Sequence, residues 1–315
     1  MQRFLFCCSI AIATLVGPPP ALSDDASSTG TPTPGTPTYD LAYQFSPDET
    51  LRWEVTHTAT VQTTIQGTTQ KATTRSESVK AWRVTEVTPD GVTTLIHSVE
   101  SVKMANQLPE RAKMTYDSQK DATAPAGFDD VARAIGVPLT MIRLDVRGKV
   151  LKRETRHPQP AASNDSPITV PLPDEAIAVG HSWIADQTTQ VNTKEGARRR
   201  VKVRRRFELL KVEGRVATIG VEFQVLEPQV RRDPAIMAQL VQQHVSGTIR
   251  FDIDRGRVVG QGLKVDQRVL DFGGPSSSMH YVMHFTERLL KPGEKLARRP
   301  KRPAGPEPAP PIDLP

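Results

Sequence analysis

Apolar and polar residues alternate at period two along most of this chain, the spacing of strands with one buried and one wet face. Val201, Val203, Phe207 and Leu209 fall on one side, while Arg200, Lys202, Arg204 and Arg206 fall on the other. The chain reverses at Glu213-Gly214-Arg215, after which Ala217, Ile219, Val221, Phe223 and Val225 continue the apolar side on a partner strand. Pro89-Asp90-Gly91 predicts an equivalent turn earlier in the chain. Met279, Tyr281, Met283 and Phe285 alternate with His280, Val282 and His284, and the Thr-rich stretch 56–74 suits exposed strand faces rather than helix.

Three anchors recur in the same order, which predicts an internal duplication of residues 39–156 in residues 174–290. Pro47-Asp48-Glu49 and Trp53 match Pro173-Asp174-Glu175 and Trp183. Trp82-Arg83-Val84 matches Phe207-Glu208-Leu209, followed in each copy by a Gly turn and an apolar strand. Ile142-Arg143-Leu144-Asp145-Val146-Arg147-Gly148-Lys149-Val150 matches Ile249-Arg250-Phe251-Asp252-Ile253 and, after an inserted Asp254, Arg255-Gly256-Arg257-Val258. One helix is expected in each half. In the second half Asp233 caps it, Pro234 sits where a missing N–H costs nothing, Ile236, Met237, Leu240, Val241 and Val245 form its apolar stripe, and Gly247 stops it. Its shorter counterpart runs from Asp129 to Ile135. The expected fold class is therefore mainly β with a minor α component, built as two duplicated antiparallel halves.

Composition adds the boundaries. Nineteen of the 27 prolines lie in residues 1–38, 157–173 and 291–315, so these segments read as flanks and a linker around two folded halves. Residues 1–23 read as a secretory signal peptide: Arg3, an apolar run from Phe4 to Val16, and small residues at Ala21 and Ser23 before a cleavage site after Ser23. Residues 24–38 follow as a Pro-, Thr- and Ser-rich disordered segment, residues 157–173 as a linker, and residues 291–315 as a basic disordered tail. Both cysteines, Cys7 and Cys8, fall inside the signal, and too few apolar residues precede them for a lipoprotein signal. The mature chain is then free of disulfides and thiolate chemistry, which suits an exported, periplasmic or extracellular bacterial protein. No later run is long and apolar enough to predict a transmembrane helix.

Candidate chemistry is sparse. Asp252 and Asp254 begin like a calcium loop, but Leu263 stands where a bidentate Glu is needed, so the segment reads as a hairpin turn. His280 and His284 are spaced for zinc on a helix but lie in a strand pattern, about 13 Å apart, too far to share a metal. No nucleophile elbow, Ser-x-x-Lys pair or nucleotide-binding Gly loop is present, and Gly273 to Ser278 reads as a turn. The chain is read as non-enzymatic, with no cofactor and no metal site. A hydrolase whose triad is assembled from distant residues is one alternative. A second follows from Arg198 to Arg206, seven basic residues in nine on a chain of net charge +6. Here Arg200, Lys202, Arg204 and Arg206 would meet an anionic surface through counterion release, although a solvated strand face explains the run as well. Export and the lack of interleaved aromatics argue against nucleic acid.

The Pro173-Asp174-Glu175 to Gly180-His181-Ser182-Trp183 entry and the Phe251-Asp252-Ile253-Asp254-Arg255-Gly256-Arg257-Val258 hairpin resemble a family of exported bacterial β-rich proteins of unknown function. More loosely, a strand-rich shell with one helix per half is similar to the half-barrels of periplasmic lipoprotein and lipid carriers. That resemblance implies a large curved sheet or half-barrel, an envelope protein holding lipid or meeting a protein partner, and an apolar lining from residues such as Trp82, Phe207, Phe223, Phe251, Tyr281 and Phe285. The same residues would also fill a closed core.

Overall fold

A computed structural model describes residues 35–158, 169–193 and 196–294. The segment read as a signal peptide, most of the stretch 24–38 read as disordered, most of the segment read as a linker and nearly all of that read as a basic tail lie outside the described residues.

Strands dominate, as the alternation requires. The elements are β1 (Thr38–Tyr39), β2 (Thr50–Ile65), β3 (Thr68–Val87), β4 (Thr93–Gln107), β5 (Met114–Asp117), α1 (Asp129–Arg133), β6 (Thr140–Leu144) and β7 (Val150–Thr155). They continue as β8 (Ile177–Ala178), β9 (Ser182–Asn192), β10 (Arg198–Glu213), β11 (Val216–Val225), α2 (Pro228–Arg231), α3 (Pro234–Leu240), β12 (Ser246–Asp252), β13 (Arg257–Leu270) and β14 (Ser278–Leu289). Twelve strands form one antiparallel sheet in the order β7-β6-β4-β3-β2-β14-β13-β12-β11-β10-β9, with β5 paired to β4. The sheet is not closed, consistent with a half-barrel. Bulges with an inserted residue at Thr85 in β3, Glu100 in β4, Leu210 in β10 and Val259 in β13 bend the strands.

The sequence repeat is a repeat of topology. In the first half β2, β3 and β4 form a meander, a helix follows, and β6–β7 close as a hairpin; β9, β10, β11, helices, then β12–β13 do the same. Strand β14 is extra, and it stitches β13 of one half to β2 of the other. The matched anchors pack alike: the rings of Trp53 and Trp82 lie 4.8 Å apart, and those of Trp183 and Phe207 lie 5.6 Å apart.

One face of the sheet carries the strap and the helices, and this inner side is the concave face of the half-barrel reading. At its base a strap, residues 41–45, crosses both matched hairpins, with Tyr43 N–H donating to Val146 and Gln44 N–H donating to Gly256. Gly148 (φ 77°) and Gly256 (φ 56°) make this approach possible. A Cβ on Gly148 would lie 2.5 Å from the Tyr43 ring, and one on Gly256 2.5 Å from the Ala42 carbonyl oxygen. Leu41 and Tyr43 join Phe207, Leu209, Ile219 and Phe251 in the main apolar cluster.

The helices differ in detail from the sequence reading. The Asp233 carboxylate accepts from Ala235 and Ile236 N–H as expected of a cap, but the helix gives way to a 3-10 turn at Val241–Gln243. Gly247 is consequently a residue of β12 and not the helix stop. The second half also carries an additional short helix, α2. Helices α2 and α3 cover Val201, Val203 and Val225, while α1 borders a cluster of Val102, Tyr116 and Phe128. Val170 and Leu172, within the segment read as a linker, are buried against the strap.

Candidate functional site: the concave face

Directly opposed residues of neighbouring strands share a face, so the register identifies every side chain that lines the concavity. Across the middle of the sheet Phe285 of β14 opposes His57 of β2 and Leu263 of β13, and Met283 opposes Ala59 and Val265. Val61, Met279 and Phe285 are partly buried against Tyr281 and Met283. The six lining residues expected from the sequence all face inward, but the structure does not gather them into one group. Trp82 packs with Trp53 and Leu95; Phe207 and Phe251 sit under the strap; Phe223 lies beside α3; Tyr281 and Phe285 belong to the central floor. Trp82, Phe207, Phe251 and Tyr281 are buried, whereas Phe223 and Phe285 remain half-buried.

A polar island interrupts this apolar face near its base. Lys80 of β3 pairs with Glu287 of β14, which is 5% exposed and also accepts from the Gln261 side-chain amide. The Lys80 ammonium lies 4.9 Å and 5.0 Å from the centres of the Trp53 and Trp82 rings, within cation–π range. Both charges are therefore compensated, and the pair ties together the two strands that flank β2. Beside it, burial lowers His97 to about 4, aided by the positive charges of Lys80 and Arg153, so the ring is neutral at physiological pH. Burial also lowers His57 and His244 and raises the Tyr43 hydroxyl, which accepts from Val170 N–H at 3.0 Å.

The basic run lies on β10, and ion pairs temper it. Arg204 pairs with Asp186 at 2.6 Å, Arg206 with Glu208 at 3.3 Å, and Arg199 with Glu227 at 2.7 Å. Arg200 and Lys202 are exposed on the convex face. The candidate metal positions are engaged otherwise: the Asp252 carboxylate accepts from Arg255 N–H, Asp254 pairs with Arg215, and His280 contacts Asp266 at 2.8 Å. Among the described residues no group of three or more His, Cys, Asp or Glu converges as a metal site, and no helix is long and apolar enough to cross a membrane. A depression of about 480 Å³ lies on the convex face, lined by Thr85, Glu86, Thr94, Met141, Arg143 and Lys152.

The sequence reading missed inward charged groups, among them Lys80, Glu287 and Arg205. Arg205 opposes Phe223 and Ala185 and so shares the concave side with Val203 and Phe207. Its odd position in the alternation was the available signal, masked by basic residues on either side. For Glu287 the same signal existed, two residues beyond Phe285.

No protein-family model matches this chain, and no curated protein matches it. Among solved structures, one of lipovitellin describing its lipid–protein interactions is similar at 12% identity and a TM-score of 0.43. That match covers 79% of this chain and 26% of the lipovitellin chain. DynF of the dynemicin biosynthesis pathway of Micromonospora chersina matches at 10% identity and a TM-score of 0.22, covering 86% of this chain and 95% of its own. A DUF1329 family protein from Desulfovibrio piger matches at 11% identity and a TM-score of 0.16, covering 75% and 85%. With every TM-score below 0.5, the likenesses carry no inference about function.

Proposed function

We propose that this chain is an exported, non-enzymatic envelope protein that holds an apolar ligand on the concave face of its half-barrel. One observation supports the reading above others. Around Val265, Tyr281 and Met283, which are buried under Val241 of the 3-10 turn, the inward residues Val55, Ala59, Val61, Met279 and Phe285 of the central floor stay only half-buried, although the flanking rows are sealed beneath the strap and the helices. An apolar surface left partly wet inside a curved sheet gains free energy when a guest covers it, at roughly 25 cal/mol per Å². Export rests on the N-terminal apolar segment.

Native mass spectrometry of the protein purified from its own host tests the proposal. A co-purifying lipid mass is expected, and Phe285→Glu, which places a charge on the floor, should strip it. A bare polypeptide mass under conditions that preserve known lipid complexes would retire the reading.

A further inference from the structure

The apolar cover of the concave face parts at one place on β10. Phe207 belongs to the cluster under the strap and Val203 to the cluster under α3, and between them stands Arg205. Its register partner Phe223 is half-buried, and the His244 ring packs edge-on against Phe223 with centroids 5.0 Å apart. Two polar groups at this gap lack partners. Arg205 is only partly exposed and has neither an ion pair nor a side-chain hydrogen bond among the described residues, and the buried Nε2 of His244 has no hydrogen-bond partner there. The acidic residues nearby are turned away or engaged. Asp186, Glu208 and Glu222 lie on the convex side by register, and Glu227 is held by Arg199 and the Lys202 N–H. An uncompensated guanidinium on a desolvated apolar face is unfavourable and favours an anion that would satisfy its forked donors.

We propose that Arg205 and His244 form the headgroup end of the concave face, and that its ligand is an anionic amphiphile, a carboxylate or phosphate carried on an apolar chain. This rests on the apolar-ligand reading above and adds polarity to it: the anion sits beside Phe223 while the chain runs over the floor toward Phe285. In the neutral imidazole Nε2 serves as a donor when it carries the ring proton, so one oxygen can take that N–H and another the guanidinium fork.

The test is displacement of the neutral fluorophore 1-N-phenylnaphthylamine from the full, delipidated chain by hexadecanoate or hexadecanol, which share a chain length and differ in charge. Hexadecanoate is expected to displace about tenfold better, the scale of one charge-assisted hydrogen bond. Arg205→Gln should abolish that preference, whereas Arg204→Gln, on the opposite face, should preserve it. Equal displacement by acid and alcohol on the unaltered chain, a comparison that needs no variant, overturns the headgroup assignment but leaves the apolar reading standing. If millimolar inorganic phosphate abolishes the acid preference, the site takes small anions and the amphiphile proposal fails. Absence of fluorophore binding removes both readings together.

Discussion

His97 shows how one side chain reports the interior it occupies. Its folded-state pKa of about 4 lies below the ordinary 6.5, because burial and then the charges of Lys80 and Arg153 disfavour the imidazolium. Above pH 6.5 both folded and unfolded chains hold the neutral ring, and stability is unaffected. Between 6.5 and 4 the unfolded chain binds the proton and the folded chain does not, so stability falls with pH. The full shift corresponds to a loss on the order of 3 kcal/mol. His57 and His244 shift in the same direction, also through burial. Urea denaturation at pH 7 and pH 5 should show a loss of stability on acidification that shrinks in His97→Gln; an undiminished loss in that variant would count against a buried neutral ring.

At the level of elements, α3 is seven residues long, too short to persist on propensity alone. It is held by the Asp233 cap and by Ile236 and Leu240 packing onto β9–β11. Asp233→Ala should cost about 1 kcal/mol in chemical denaturation, the usual worth of an N-cap, and Asp233→Asn should recover most of it. Elements of this kind were legible in the sequence, since caps, turn glycines and period-two strands are local codes. The hairpins at Gly148 and Gly256 and the inward run on β14 follow directly from them. Burial of Val170 and Leu172 was not legible, because a Pro-rich segment has no periodicity to declare its inner side. Lys80 shares the parity of Trp82 and Val84 on β3, so its inward side could be counted locally, but what an inward Lys would meet could not. Its partner Glu287 is 207 residues away, and no local pattern encodes that pairing.

For the whole molecule, the Lys80–Glu287 pair bridges the seam between the repeats, because β14 joins the second half to β2 of the first. Removing one partner strands the other charge among tryptophans. Glu287→Leu alone should therefore lose about 3–5 kcal/mol, and the Lys80→Met/Glu287→Leu double variant much less. A double-mutant cycle in urea checks this; additive losses would mean the two charges are not coupled.

The unjoined margins at β7 and β9 have a further effect. A sealed barrel has its bore dictated by strand number and stagger, and widening it means breaking ladder hydrogen bonds. Here the two rims can spread or draw in while every rung stays made. On the proposed reading a stouter guest then costs bending rather than rupture, which would give one vessel a range of girths.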